Sequence, residues 1–227
     1  MVLKETGTRG AAPDRDAALR KYRAAVDNFD LGVEHLRDVH WEIRERSIRE
    51  LHLQEGDTVL DVGCGTGLSF PLLVEAAGAN GRVIGIDQSP EMLTRARILI
   101  ARHQWLNVTL VSAPAAEAKI PAPADAALFH YTHDIMREPA ALENIIAQLK
   151  PGAHIVAVGM KWAQWWNVPI NLTVLRRARR FITTFDGLRA PWSHLKDLAT
   201  DFRCEPLLGG GAYIACARKP YVKAPQD

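Results

Sequence analysis

Cysteine is scarce. Cys64, Cys204 and Cys216 are the only three in 227 residues, and they lie far apart. An odd, scattered set provides neither a disulfide framework nor a metal-ligand spacing, and it fits a reducing, cytoplasmic setting. Long apolar runs are missing too, and none approaches the ~20 residues that span a bilayer. The N-terminus lacks the hydrophobic region that a secretory signal needs. Neither sign of charge dominates, since the net charge is +2. Bulk electrostatics therefore select neither nucleic acid nor an anionic membrane as a partner. What is present, 48% apolar and 24% charged residues, suits one ordinary globular domain with a full core.

The most informative stretch is 59–70, reading Val-Leu-Asp-Val-Gly-Cys-Gly-Thr-Gly-Leu-Ser-Phe. An apolar run over 58–62 enters a loop with glycine at every second position, and a helix-like run over 68–77 leaves it. This predicts the first strand–loop–helix unit of a nucleotide-binding α/β sheet. Alternate glycines let the backbone approach a ligand where a Cβ would collide. The helix behind them offers N–H groups to a polar ligand. A dinucleotide fingerprint, G-x-G-x-x-G, needs its third glycine where Leu68 stands. The spacing here is D-x-G-x-G-x-G, from Asp61 to Gly67.

Elsewhere the periodicity is clear. Residues 1–16 are polar with Gly and Pro and are expected to be disordered. Over 17–51, Leu36, Val39, Ile43, Ser47 and Leu51 recur at helical spacing, with Arg37, Glu42, Arg44 and Glu45 elsewhere on the turn. A break near Asn28-Phe29-Asp30 divides two helices. A second strand over 82–86 ends at Asp87, 20 residues after Gly67, where a carboxylate can accept from both ribose hydroxyls. Ser89 reads as a helix cap with Pro90 at the first helical position, which leaves Asp87 for a ligand. Further strands are predicted at 107–111, 125–130 and 154–160, and a helix at 139–149. Lys150-Pro151-Gly152 reads as a turn. A helix capped by Ser193 runs to Phe202. Strands at 204–208 and 212–218 flank Gly209-Gly210-Gly211, a hairpin signal. Strands alternating with helices and closed by a hairpin describe a mostly parallel sheet with an antiparallel edge.

In order and spacing, the glycine loop, Asp87, the strand ending at His130 and the Lys-Pro-Gly turn resemble the class I S-adenosylmethionine-dependent methyltransferases, over roughly 58–160. The resemblance implies an α/β, Rossmann-like, doubly wound seven-stranded sheet, mostly parallel with an antiparallel C-terminal hairpin. It implies a single methyltransferase domain over 17–227, with helices of 17–51 lying over the cofactor. It implies S-adenosylmethionine, held in the crevice at the strand C-termini. The cofactor contacts implied are Tyr22, Asp61, Gly63, Cys64, Gly65, Asp87, Gln88, Met92, Ala113, Pro114, Ala115 and His130. In this family the loop cradles the amino-acid end of the cofactor, and an apolar side chain such as Met92 packs on the adenine. An acidic residue usually stands where Pro114 is, bonded to the adenine amino group. Pro114 cannot make that contact and has no N–H. The Ala115 backbone, Ser112 and Glu117 remain as alternatives.

Methyl transfer from a sulfonium is an in-line displacement, so the protein mainly aligns the acceptor and sometimes removes its proton. Candidates gather at the end of strand four: His130, Tyr131, His133 and Asp134. Histidine is the natural base, which makes His133 and His130 the candidate catalytic residues. Each has a structural alternative: His130 packed on the cofactor, His133 merely starting a helix, Thr132 or Asp134 capping it. Only Asp134 could serve a metal there, so none is expected. Cys64 belongs to the loop, and Cys204 and Cys216 to the hairpin, which argues against arsenic chemistry. The run His130-Tyr131-Thr132-His133 replaces the Asn-Pro-Pro-Tyr type of motif used on exocyclic base amines, so nucleic acid is not expected as acceptor.

Residues 161–192 exceed the link this family needs between strand five and the last helix. They hold Trp162, Trp165, Trp166 and Trp192, four of the six tryptophans. Lys161, Arg176, Arg177, Arg179, Arg180 and Arg189 stand there against Asp186 alone. Asn167 is placed to cap a helix starting at Val168-Pro169, with Val168, Leu172, Leu175 and Ile182 on its apolar face. Three readings stand: a lid packed on the sheet; an acceptor pocket walled by Tyr131, Trp162, Trp165 and Trp166, for a hydrophobic or aromatic small molecule or a cationic amine; and a basic helix on an anionic membrane, delivering a lipid. The expected reaction is methyl transfer to oxygen or nitrogen of a small molecule. Aminocarboxypropyl transfer from the same cofactor, and a catalytically silent cofactor-binding interaction protein, are the alternatives. Oligomeric state is not legible.

Overall fold

The computed structural model describes residues 13–25 and 37–221, without the side chains of 22, 24, 25 and 37–39. The predicted break at Asn28-Phe29-Asp30 and Leu36 fall outside what is described, as does the side chain of Val39.

Five parallel strands form the body of the sheet: β1 (Thr58–Val62), β2 (Arg82–Asp87), β3 (Val108–Ser112), β4 (Ala124–His130) and β5 (Leu149–Met160). Two further strands, β6 (Thr200–Leu207) and β7 (Ala212–Arg218), run antiparallel at one edge. The order is β3-β2-β1-β4-β5-β7-β6. The expected seven-stranded sheet with its antiparallel hairpin is present. The order in which the strands are added reverses between β1 and β4, the switch point where α/β sheets bind ligands.

Short apolar runs form the central strands because both faces are covered. Leu60, Val62, Ile84, Ile86, Ala127, Phe129, Ile155 and Ala157 point to one side. Val59, Val83, Leu128, Val156 and Val158 point to the other. The first face packs on α6 (Pro139–Ala147), through Leu142 and Ile145, and on Leu195 of α8 (Ser193–Leu198). The second packs on α2 (Arg37–Arg49), α3 (Phe70–Ala77) and α4 (Pro90–His103), through Ile43, Phe70, Leu73, Leu93 and Ala96. The remaining α-helices among the described residues are α1 (Arg15–Ala25), α5 (His133–Met136) and α7 (Val168–Phe181). A third, small cluster of Val174, Ala178, Ile182 and Leu188 fixes α7 over Met160 and Trp162.

Several boundaries differ from expectation. Lys150-Pro151-Gly152 does not precede β5 but lies inside it. Leu149 pairs with Ala124, the register then shifts, and pairing resumes at Ala126 with His154. Gly152 takes φ +77 at this irregularity, and its N–H donates to the Lys219 carbonyl at 3.0 Å. The helix expected over 193–202 stops at Leu198. Thr200 already pairs with Arg218, with a bulge before Arg203, because a ladder on β7 satisfies more backbone than another helical turn would. Ser193 is helical rather than a cap, and its hydroxyl accepts from Arg137 at 2.6 Å. Asn167 stands at the start of α7 without capping it. Its side-chain amide donates to the Gly209 carbonyl at 3.2 Å.

The face of α7 is also different. Ile170, Val174, Ala178 and Ile182 point inward. Val168 and Leu172, expected inside, are 64% and 53% exposed.

Candidate active site

The glycine loop folds as its spacing requires. Gly63 and Gly65 take φ +73 and +55, conformations an L side chain adopts only under strain. A Cβ on Gly63 would stand 2.5 Å from Thr132 Cγ2, whereas one on Gly65 would meet nothing within 4 Å. Gly63 therefore serves close packing, and Gly65 faces open space. Cys64 is buried in the core beside Gly85. Burial holds its thiol well above the usual range.

Asp87, the last residue of β2, ties this loop down. Its Oδ2 accepts from the Gly65 N–H at 2.8 Å, and its Oδ1 from the Ser89 N–H at 2.8 Å. The carboxylate that the Ser89 cap was expected to leave for a ligand thus already accepts from two backbone N–H groups. Ser89 does cap α4, accepting from Met92 N–H at 3.3 Å. Two oxygens with about four acceptor directions still leave Asp87 capacity for hydroxyl donors. Burial raises its pKa, against the pull of the Ser89, Gly65 and Gln88 N–H groups.

Asp61 lies near the end of β1, 2% exposed, and its Oδ2 has no hydrogen-bond partner. Burial raises its pKa to about 7, opposed by the Arg44 guanidinium and reinforced by Asp87. Arg44 comes from α2, where it donates to Ser69 Oγ. The periodicity had put Arg44 on the polar side of its helix; it turns inward instead.

Among the described residues, every buried side-chain nitrogen or oxygen without a partner belongs to Asp61 or to the run from His130 to His133. Such orphans are costly and mark places where something else supplies the partner. Strands β1 and β4 are neighbours, with Val62 opposite Phe129, so Asp61 and His130 project from adjacent strand ends. His130 is 8% exposed, and burial, then Arg44 and His40, hold its pKa well below the ordinary value. Tyr131 takes φ +60, an uncommon conformation for a bulky residue, while its N–H donates to the Val158 carbonyl at 2.7 Å. Its ring packs edge-on against His130 and His40, and burial raises its hydroxyl pKa to about 12. Arg177 of α7 reaches His40, with Nη1 3.2 Å from Nε2.

The run divides after Tyr131. Thr132 packs on Gly63. His133 starts α5, and burial and Arg137 lower its pKa to about 4. The Thr184 and Asp186 carbonyls oppose that shift without either ring nitrogen making a well-formed hydrogen bond. Asp134 turns to Thr183, accepting from its N–H and its hydroxyl.

On the adenine side, Ala113 N–H donates to the Asp87 carbonyl at 3.2 Å. The Pro114 carbonyl accepts from Glu117 and Ala118, and Ala115 is buried. Glu117 turns outward to Arg15 at 3.4 Å. Ser112 stands opposite Asp87 in register. Met92 is buried in the first turn of α4, and Gln88 half-buried before it. Tyr22 lies on α1, but its side chain is outside the described residues. Helix α1 bridges α4 and α7, through Arg23 to Glu91 at 2.7 Å and Lys21 to the Arg179 carbonyl at 3.3 Å. Trp162 stacks with Phe185, whereas Trp165 and Trp166 lie edge to face on each other and are 76% and 63% exposed.

Sequence reasoning missed His40, Arg44 and Arg177. Spacing gave no signal for them, since each looks like a surface polar residue on its own helix. A groove of about 450 Å³ lined by Val74, Glu75, Gly78, Trp105 and neighbours lies at the opposite, N-terminal end of β2 and β3. No polar orphan faces it.

The donor set fits a cofactor with an amino-acid arm and a ribose. It combines an unpartnered buried oxygen, Asp61 Oδ2, an open loop face at Gly65 and spare acceptor capacity on Asp87.

The comparisons agree. Residues 53–173 match the family model described as a methyltransferase domain. A demethylmenaquinone methyltransferase of Shouchella clausii is 31% identical over 125 residues, 52% of this chain and 52% of its own. A trans-aconitate 2-methyltransferase of Azoarcus sp. is 34% identical over 123 residues, 52% of this chain and 46% of its own. The chain thus spans about half the length of the curated relatives it matches. A solved S-adenosylmethionine-dependent methyltransferase from Aquifex aeolicus superposes with a TM-score of 0.56 at 24% identity, over 77% of this chain and 88% of that one. With more than half of its residues matched by the family model, and with the sheet order and loop of the class, the chain belongs to the methyltransferase-domain family of class I S-adenosylmethionine-dependent enzymes.

Proposed function

We propose that this protein transfers a methyl group from S-adenosylmethionine to a hydrophobic or aromatic small molecule. The observation that carries the proposal is the confinement of unpartnered buried polar atoms to Asp61 and the adjacent end of β4. Asp61 and the loop at Gly63–Gly65 would hold the amino-acid arm. Asp87 would hold the ribose, and Met92 with the Ala113–Ala115 backbone would flank the adenine. Ser112, in register with Asp87, takes preference over Glu117 as the ring's polar neighbour because Glu117 faces Arg15. The bound cofactor supplies a methyl group already activated by its sulfonium.

The chain's own task is then to align the acceptor and exclude water. His130 and Tyr131 converge from β4, and α7 reaches toward them through Arg177 and His40. A neutral His130 is suited to accept a proton or hydrogen bond from an acceptor hydroxyl or amine. His133, enclosed by the 184–186 backbone, is assigned a structural part. The two curated relatives are named for different acceptors, a demethylmenaquinone and trans-aconitate, so they do not choose one. Titration calorimetry with S-adenosylmethionine and its demethylated product tests the cofactor site. Binding lost in Asp87→Ala is expected. No binding, or unchanged binding in that variant, would overturn the assignment. Mass analysis of products from an acceptor library distinguishes methyl from aminocarboxypropyl transfer.

A further inference from the structure

Among the described residues, none covers the outward face of α7. Trp165, Trp166, Val168 and Leu172 are 76%, 63%, 64% and 53% exposed. Leu208, 46% exposed with φ +49, belongs to the same surface, because Asn167 binds the Gly209 carbonyl beside it. Large apolar side chains gathered in this way need a reason. The helix continues outward into Arg176, Arg179 and Arg180, all exposed. Helix α7 contains no acidic residue, and among the described residues none of these three guanidiniums joins an ion pair. The helix therefore presents an apolar strip in its first half and an unneutralised cationic cluster in its second.

We propose that this face docks on the surface of an anionic lipid bilayer. Charge complementarity selects the partner. A second copy docked parallel would set arginine cluster against arginine cluster, and one docked antiparallel would set each cluster on the partner's apolar strip, so neither arrangement neutralises the guanidiniums. An anionic headgroup layer neutralises all three guanidiniums at once. Tryptophan rings favour the headgroup–acyl boundary. Arginine stems can lie along apolar surface while their heads stay in the polar layer. No described helix is long and apolar enough to cross a membrane, so the contact is peripheral, with the apolar strip sunk shallowly. The proposal is independent of the chemistry at Asp61 and His130.

Co-sedimentation of the full chain with vesicles tests it. Vesicles of phosphatidylcholine mixed with phosphatidylglycerol should bind the protein, and phosphatidylcholine alone should bind it weakly. Raising the salt should release it. Replacing the three arginines together by glutamine should weaken partition about a hundredfold. Trp165→Ala with Trp166→Ala should weaken it at least about tenfold. Brominated lipid in anionic vesicles should quench the tryptophan emission of the wild type, a readout that needs no variant to fold, and the tryptophan pair replaced by alanine should lose most of that quenching. Absence of binding to anionic vesicles would overturn the proposal. So would binding indifferent to headgroup charge, or retention on polyuridylate with no affinity for vesicles.

Discussion

Asp134 accepts two hydrogen bonds from Thr183, from the backbone N–H at 3.1 Å and from the hydroxyl at 2.9 Å. Thr183 Oγ1 in turn accepts from the Asp14 N–H at 3.2 Å. One threonine so joins the turn after β4, the end of α7 and the start of α1, the three pieces that surround the candidate acceptor end.

Asp134→Ala should therefore loosen the cover while sparing the sheet. It leaves the Thr183 N–H without its partner, at a cost of about 1–3 kcal/mol, measurable by urea unfolding. Hydrogen exchange should accelerate over 168–183 and stay slow in β1, β4 and β5. Equal acceleration throughout would show that the contact is not a local latch.

Asp61 sets a pH dependence with a definite sign. Its folded pKa, about 7, lies above the unfolded value. Its contribution to stability is then full below pH ~4 and lost as pH rises through ~7. Asp61→Asn should abolish cofactor binding and flatten the pH dependence of the ligand-free protein's stability between pH ~4 and ~7. In the wild type, pairing with the cofactor's ammonium requires ionised Asp61. Affinity should climb with pH and level off above ~7, with proton release visible as a buffer-dependent binding enthalpy.

The two histidines should separate. His130→Gln should lower turnover by ~10²–10⁴-fold if His130 takes the proton, with little change in cofactor affinity. His133→Gln should shift the melting temperature more than the rate. Because burial holds both imidazoles neutral near pH 7, the rate profile should show no inflection at the ordinary histidine value of ~6.5.

The loop glycines should separate as well. Gly63→Ala forces a Cβ against Thr132 and strains φ, so stability should fall by ~2 kcal/mol or more. Gly65→Ala strains φ by ~1 kcal/mol but meets no neighbour in the ligand-free protein. Its loss of cofactor affinity should exceed its loss of stability. Equal losses would mean that the open side of Gly65 is not the ligand side.

Local chemistry made much of the molecule legible. Both faces of β1, β2 and β4 are buried, so their apolar runs could be nothing but central strands. The positive φ values at Gly63 and Gly65 left only glycine, and Ser89-Pro90 started α4 where a cap and a proline must. These features depend on residues close together in the chain, and with them came the family, the sheet and the cofactor loop. Three things depended on distant partners. Helix α7 carries two apolar stripes at helical spacing, and the sequence favoured Val168, Leu172, Leu175 and Ile182, of which Ile182 does turn inward. The stripe through Ile170 and Val174 turns inward because Gly209 and Gly211 have no side chains to exclude it; a Cβ on Gly211 would stand 2.6 Å from Ile170 Cγ2. Residues 200–202 left the helix because β7 offered a ladder. Arg44 and Arg177 entered the site from helices whose own periodicity marked them as surface. The sequence determined the scaffold and the glycine loop through short-range sterics and burial. Only the tertiary structure decided which face of α7 meets solvent and which charges look into the pocket, because both are settled by packing across more than a hundred residues of intervening chain, as between His40 and Arg177.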